Sequence, residues 1–82
     1  MDYRLHAEDL LKEFYLCLGA KPKHNAVGLQ LEKDACEKWA GHLTNLLAWG
    51  DDTQIAEACL QLEPRLKRLK EKIIIEVLTY GI

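Results

Sequence analysis

The stretch from residue 62 to residue 80 constrains the fold more than any other part of the chain. Apolar residues recur there at every third or fourth position, which places them on one face of an α-helix. These residues are Leu62, Leu66, Leu69, Ile73, Val77 and Tyr80. Ile74, Ile75 and Leu78 fall on another side of the same helix. Because a surface helix needs only one apolar stripe, we expect its own chain to cover this helix on two sides, or a partner to cover the second side.

Three earlier segments have the same helical spacing. They predict helices at about 2–18, 31–49 and 53–62, followed by a last helix at about 64–80. Pro64 predicts either a kink or a break before that last helix. Residues 73–80 also have the composition of a strand, so a strand that pairs with another chain is the alternative to a helix there. The sequence predicts one all-α domain over 1–82, a compact bundle of three or four helices with the last helix central.

Composition excludes several classes of protein. The 82 residues are 49% hydrophobic and 29% charged, with a net charge of −2, so the chain is no polycation that binds nucleic acid with its whole surface. Three cysteines, an odd number, do not form a disulfide framework. Cys17, Cys36 and Cys59 all fall on predicted apolar faces, where a free cysteine packs as a small hydrophobic residue. The chain has neither a signal-peptide pattern nor an apolar run of about 20 residues. We therefore expect a cytoplasmic protein that does not bind membranes.

The sequence contains no convincing catalytic or metal-binding motif. The three thiols are not predicted to lie exposed beside a base, as a nucleophile requires. His6, Asp9 and Glu13 have helical i, i+3, i+7 spacing, but no second group of ligands accompanies them, so we interpret them as a solvated face. A phosphate-binding loop is also missing. We expect no enzymatic activity, no cofactor and no metal site.

Near the start of the last predicted helix, five positive residues fall within eight positions. They are Arg65, Lys67, Arg68, Lys70 and Lys72. Arg65, Arg68 and Lys72 share one helical face that can contact phosphates, and the connection at 19–28 adds further positive charge. Glu71 and Glu76 dilute this basic face. A nucleic-acid-associated regulator that contacts phosphates through the 65–72 face is therefore the alternative function.

The surplus of apolar residues favours protein binding. We expect an apolar patch that a partner covers, formed by Ile74, Ile75, Leu78, Leu5, Leu16 and Trp49. With the basic face beside it, this patch predicts a non-enzymatic interaction protein, such as an adaptor, an assembly factor or a regulatory inhibitor of a larger complex. Two-fold pairing would place the same patch on both subunits, so a homodimer is one of the predicted complexes.

Overall fold

The computed structural model of the protein describes residues 2–19 and 27–80. They form three α-helices: α1 (Tyr3–Gly19), α2 (Val27–Trp49) and α3 (Asp52–Tyr80). The predicted all-α bundle is confirmed, and residues 73–80 are helical rather than extended. Most of the predicted basic connection at 19–28 lies outside the described residues.

Two side-chain contacts show that α1 and α3 run in the same direction. His6 Nε2 lies 3.6 Å from Glu63 Oε1, and Lys70 Nζ lies 2.7 Å from Glu13 Oε2. The partners in each pair are 57 positions apart in the chain. Because this offset is constant over two turns of helix, α1 lies parallel to α3.

Helix α2 runs in the opposite direction along another side of α3. The guanidinium of Arg65 lies 5.3 Å from the centre of the Trp39 ring, and Lys72 Nζ lies beside Gly28. A later position on α3 is thus matched by an earlier one on α2. The bundle is up-down-up, with α3 packed more extensively against α1 and α2 than these two pack against each other. The prediction of a central last helix is confirmed.

The core consists of hydrophobic side chains from all three helices, and half of the buried ones belong to α3. The buried residues are Ala7, Leu10 and Phe14 of α1; Leu29, Cys36, Ala40 and Leu43 of α2; and Ile55, Ala58, Cys59, Leu62, Leu66, Leu69 and Ile73 of α3. No polar or charged residue is buried among the described residues. On α3 most of these buried positions recur every seven residues. The buried face of α3 therefore stays between α1 and α2 along the helix.

Of the two alternatives at Pro64, a kink within a continuing helix or a break between two helices, the structure excludes the break. Residues 52–80 form one helix of 29 residues that contains Pro64. Pro64 is exposed on α3, and it has no backbone N–H to donate to the carbonyl of Leu60. Burial of Leu62 and Leu66 on the opposite side continues the core without interruption. Packing on the inner face therefore outweighs the cost of the proline on the outer face.

The predicted start of the second helix at residue 31 was wrong, because α2 begins at Val27. Leu29 is buried in the core, and this burial favours the earlier start despite the low helix propensity of Gly28. A Cβ atom at residue 28 would lie 2.9 Å from Lys72 Nζ, the end of a flexible side chain that can move aside.

The connection between α2 and α3 is short and well capped. Asp51 Oδ1 accepts a hydrogen bond of 2.8 Å from the Gln54 N–H, and Gln54 Oε1 accepts one of 3.0 Å from the Asp51 N–H. This reciprocal pair is a capping box at the start of α3. Gly50 is required beside it, since a Cβ atom there would lie 2.9 Å from the Leu46 carbonyl oxygen. Arg4 of α1 donates to the Leu47 carbonyl at 3.0 Å, which ties the first helix to this corner.

Helix α3 determines the length of the molecule. The protein measures 42 × 20 × 17 Å, and 29 residues of α-helix extend over about 42 Å. The radius of gyration of 13.4 Å exceeds the roughly 11.7 Å of a compact chain of this size. With the 57-residue offset, Gly19 at the end of α1 lies level with Glu76. The last turn of α3 therefore extends beyond α1.

Candidate interaction surface

The last two turns of α3 expose three large apolar side chains. Ile74, Ile75 and Leu78 have 57%, 60% and 81% of their surface exposed. The inner face of the same turns is buried only as far as Ile73, and Val77 is partly buried against the core. The described part of the chain therefore covers one side of this end of α3 and leaves the other side in solvent.

Leu16 of α1 lies next to this exposed end. It is 77% exposed and lines, with Ile73 and Ile74, a shallow groove of about 330 Å³ between α1 and α3. The parallel packing of α1 and α3 brings the two surfaces together. We call the set of Leu16, Ile74, Ile75 and Leu78 the C-terminal patch.

The other two predicted partner-binding residues lie elsewhere. Trp49 is 90% exposed, but it ends α2 next to the corner at Gly50. From the start of α3 at Asp52 to Ile74 is 22 residues, or about 33 Å along the axis. Leu5 is exposed on α1, eleven residues or about 16 Å before Leu16. The six predicted residues are thus all exposed, but they do not form one surface.

The predicted basic residues divide between the two sides of α3. On the side of α2, the Arg65 guanidinium stacks on Trp39 and donates to the Gln61 carbonyl oxygen at 2.6 Å. Arg68 and Lys72 are exposed nearby. The geometry places Arg65 in a cation–π contact that holds α2 against α3, with only part of its charge directed to solvent.

Lys70 lies on the side of α1, and Lys67 lies at the edge between that side and the outer face of α3; both are among carboxylates. Lys70 is bonded to Glu13, and Lys67 lines a groove of about 340 Å³ together with Asp9 and Glu63. These carboxylates offset the positive charge locally. The five basic residues therefore do not form one continuous positive strip.

Sequence reasoning missed one exposed residue that bears on this surface. Leu60 is 68% exposed at the outer edge of a groove of about 400 Å³ between α2 and α3. It lies fourteen residues before Ile74, a multiple of the seven-residue repeat. The signal was available in the sequence, but it appears only when α3 is treated as one helix through Pro64.

The thiols are in environments that oppose nucleophilic chemistry. Burial raises the pKa of the Cys36 thiol to about 11, and burial also raises the pKa values of Cys17 and Cys59. A raised pKa lowers the fraction of reactive thiolate at neutral pH. Within residues 2–19 and 27–80, no three His, Cys, Asp or Glu side chains lie close enough to hold a metal ion. His6 instead lies beside Glu63.

No described helix has an apolar stretch long enough to cross a membrane. Comparison of the chain with protein-family models, with curated proteins and with solved structures found no match. The exposed surface of α1 and α3 is therefore the basis for assigning a function.

Proposed function

We propose that this protein is a small non-enzymatic interaction protein that binds a protein partner through the C-terminal patch. Such a protein acts as an adaptor, an assembly factor or an inhibitor of a larger complex. Its partner is either a different protein or a second copy of the chain. The observation that carries the proposal is the exposure of Ile74, Ile75 and Leu78 at the end of α3, with Leu16 beside Ile74, on a chain that has its own apolar core.

The size of the patch supports binding energy of a useful magnitude. Full burial of an isoleucine or leucine side chain is worth about 1.5–3 kcal/mol. Since each of the four residues is 57–81% exposed, covering one of them gains roughly 1–2 kcal/mol. Four such anchors offset a substantial part of the cost of association. Arg68 and Lys72 lie on the same half of α3, and their charge favours encounter with an acidic partner.

The alternative function is a nucleic-acid-associated regulator that uses Arg65, Lys67, Arg68, Lys70 and Lys72. The contacts support it less well than protein binding. Lys70 is paired with Glu13, and Arg65 is stacked on Trp39. Phosphate contacts give affinity that falls steeply with salt, whereas an apolar interface resists salt. Titration with random-sequence duplex DNA and with single-stranded RNA, for the wild type and for R65E/R68E/K72E, tests this alternative.

The experiment on the proposed function compares three forms of the protein. The first is the wild type, the second is I75E/L78E in the patch, and the third is the control L31E/A48E, which adds the same charge at exposed positions of α2. Each is immobilised and exposed to a lysate of the source cells at low and high salt. Any retained protein is identified, purified and titrated directly. The mass of each form in solution is measured in parallel by light scattering.

The proposal predicts an association that resists high salt, persists in the control and is lost in I75E/L78E while the circular dichroism of that variant remains helical. The association appears either as a retained protein or as a mass above 9.4 kDa. A wild type of single-chain mass that retains no protein at high salt would contradict the proposal. Unfolding of I75E/L78E would also contradict it, because those residues would then support the core.

A further inference from the structure

The outer side of α3 carries a longer exposed stripe than the C-terminal patch accounts for. Its residues are Leu60, Pro64, Lys67, Glu71, Ile74 and Leu78, and all six are exposed. Each lies one or two positions after a residue of the inner seven-residue pattern. Because the buried face of α3 stays between α1 and α2 along the helix, this outer stripe stays on the side of α3 that faces away from the core.

The order of side chains along the stripe is complementary to its own reverse. From the amino end it is two apolar residues, a positive charge, a negative charge and two apolar residues. Reversal of the direction leaves the apolar residues in place and exchanges the charges. An antiparallel copy therefore places Lys67 opposite Glu71 of the second copy, and this contact occurs twice. Leu60 is then opposite Leu78 of the second copy, and Pro64 is opposite Ile74.

We infer that the partner of this surface is a second copy of the chain, docked antiparallel along the outer stripe of α3. The two-fold axis crosses the outer face of α3 at the level of residue 69, midway between Lys67 and Glu71. The interface is therefore isologous, with the same surface on both copies. The inference rests on the proposed function and names its partner. The seam extends over 18 residues of helix, about 27 Å, and Leu16 widens it on the side of α1.

The position of the charges favours a second copy over other occupants. A central pair of opposite charges is matched by its own reverse, and a second copy supplies that reverse at both positions. Here Lys67 and Glu71 lie at the centre, and the apolar residues lie at both ends. Opposite charges in the middle of a helix pair fix its register and direction, as polar positions do in coiled coils. Nucleic acid does not fit this seam, because Glu71 lies in its middle and repels phosphate.

The test uses two single variants and their mixture. Lys67→Glu places like charges opposite each other at both central contacts of a dimer, and Glu71→Lys does the same with the other sign. We expect each variant alone to raise the dissociation constant of the dimer on the order of tenfold at low salt. In a one-to-one mixture, both central contacts between a K67E chain and an E71K chain are attractive. The mixture is therefore expected to recover the dimer in light scattering over a concentration series.

The mixture also separates contacts between chains from contacts within one chain. Residues 67 and 71 are i, i+4 neighbours on one helix, and each single variant breaks that pairing. Mixing does not repair it, so recovery can arise only between chains. The control pair K38E and E37K changes the same net charges on the exposed side of α2, and each should dimerise as the wild type does.

The outcomes separate this inference from the proposed function. Recovery in the K67E and E71K mixture, with no such effect in the control pair, supports the antiparallel seam. A wild type of single-chain mass at every concentration overturns the seam, and the capture experiment then decides the proposed function alone. A dimer that I75E/L78E weakens but that mixing does not restore also overturns the seam, while it supports the C-terminal patch as an interaction surface.

Discussion

Replacement of Pro64 by alanine should stabilise the single chain, because the proline interrupts the backbone hydrogen bonds of α3 at an exposed position. Pro64 is exposed, and it gives the Leu60 carbonyl no backbone N–H. In a helix interior, proline is about 3 kcal/mol less favourable than alanine. Alanine also loosens the unfolded chain, which costs about 0.4–1 kcal/mol. We therefore expect the free energy of unfolding to rise by about 2 kcal/mol.

For a domain of 60–100 residues, 1 kcal/mol changes the melting temperature by about 4–8 °C, so Pro64→Ala should raise it by about 8–16 °C. The measurement is urea unfolding followed by circular dichroism, at a protein concentration where light scattering gives the mass of one chain. Glu57→Ala is the matched control, since residue 57 is exposed and lies seven residues earlier on the same side of α3. The control should change the free energy of unfolding by less than about 0.5 kcal/mol.

An unchanged or lower stability of Pro64→Ala would refute this reasoning. It would mean that the proline sets a bend of α3 on which the packing of α1 and α2 depends. The slope of the unfolding free energy against urea separates the two cases. A stabilised helix leaves the slope unchanged, whereas a loosened bundle lowers it.

Three further predictions concern the core, the cap and the thiols. Leu66→Ala should lower the free energy of unfolding by about 2–5 kcal/mol in urea, whereas Ile75→Ala should change it by less than about 0.5 kcal/mol, since only Leu66 is buried. Asp51→Ala removes the cap of α3 and should cost about 0.5–2 kcal/mol in the same assay. Because the raised pKa of Cys36 favours its neutral form in the folded state, stability should fall as pH rises from the ordinary thiol pKa towards about 11, and Cys36→Ala should flatten that fall.

Helical periodicity made the fold largely predictable. The apolar spacing identified every helix and the central position of the last one, because core-facing residues must recur with the period of the helix. The break that was one alternative at Pro64 and the late start predicted for the second helix have one cause. Pro64 and Gly28 both signal a helix end locally, but burial of Leu62, Leu66 and Leu29 in the core outweighs these local preferences. Local sequence signals show whether a residue favours or disfavours a helix, whereas packing in the core decides whether the helix continues.

Exposure of the candidate surface was predictable, but its arrangement was not. Ile74 and Leu78 fall outside the apolar stripe in any helical interpretation of residues 64–80. The proximity of Leu16 to Ile74 depends on the parallel packing of α1 and α3, which no residue of either segment specifies alone. The same holds for Lys70, whose charge is offset by Glu13 across that interface. The sequence could therefore place Arg65, Arg68 and Lys72 on one face, but it could not show that Glu13 offsets the charge of Lys70.

The unequal lengths of the helices support the proposed partner, because the described parts of α1 and α2 leave one side of this end of α3 uncovered. Helices α1 and α2 have 17 and 23 residues, so neither is long enough to follow all 29 residues of α3. Charged residues would be a sufficient surface for the uncovered turns if solubility were the only requirement. The chain has Ile74, Ile75 and Leu78 there instead, and it has Leu60 at the other end of the same side of α3. In the proposed antiparallel dimer, a second copy covers both apolar ends and pairs both central charges at once, because the outer face of α3 has the same pattern in reverse.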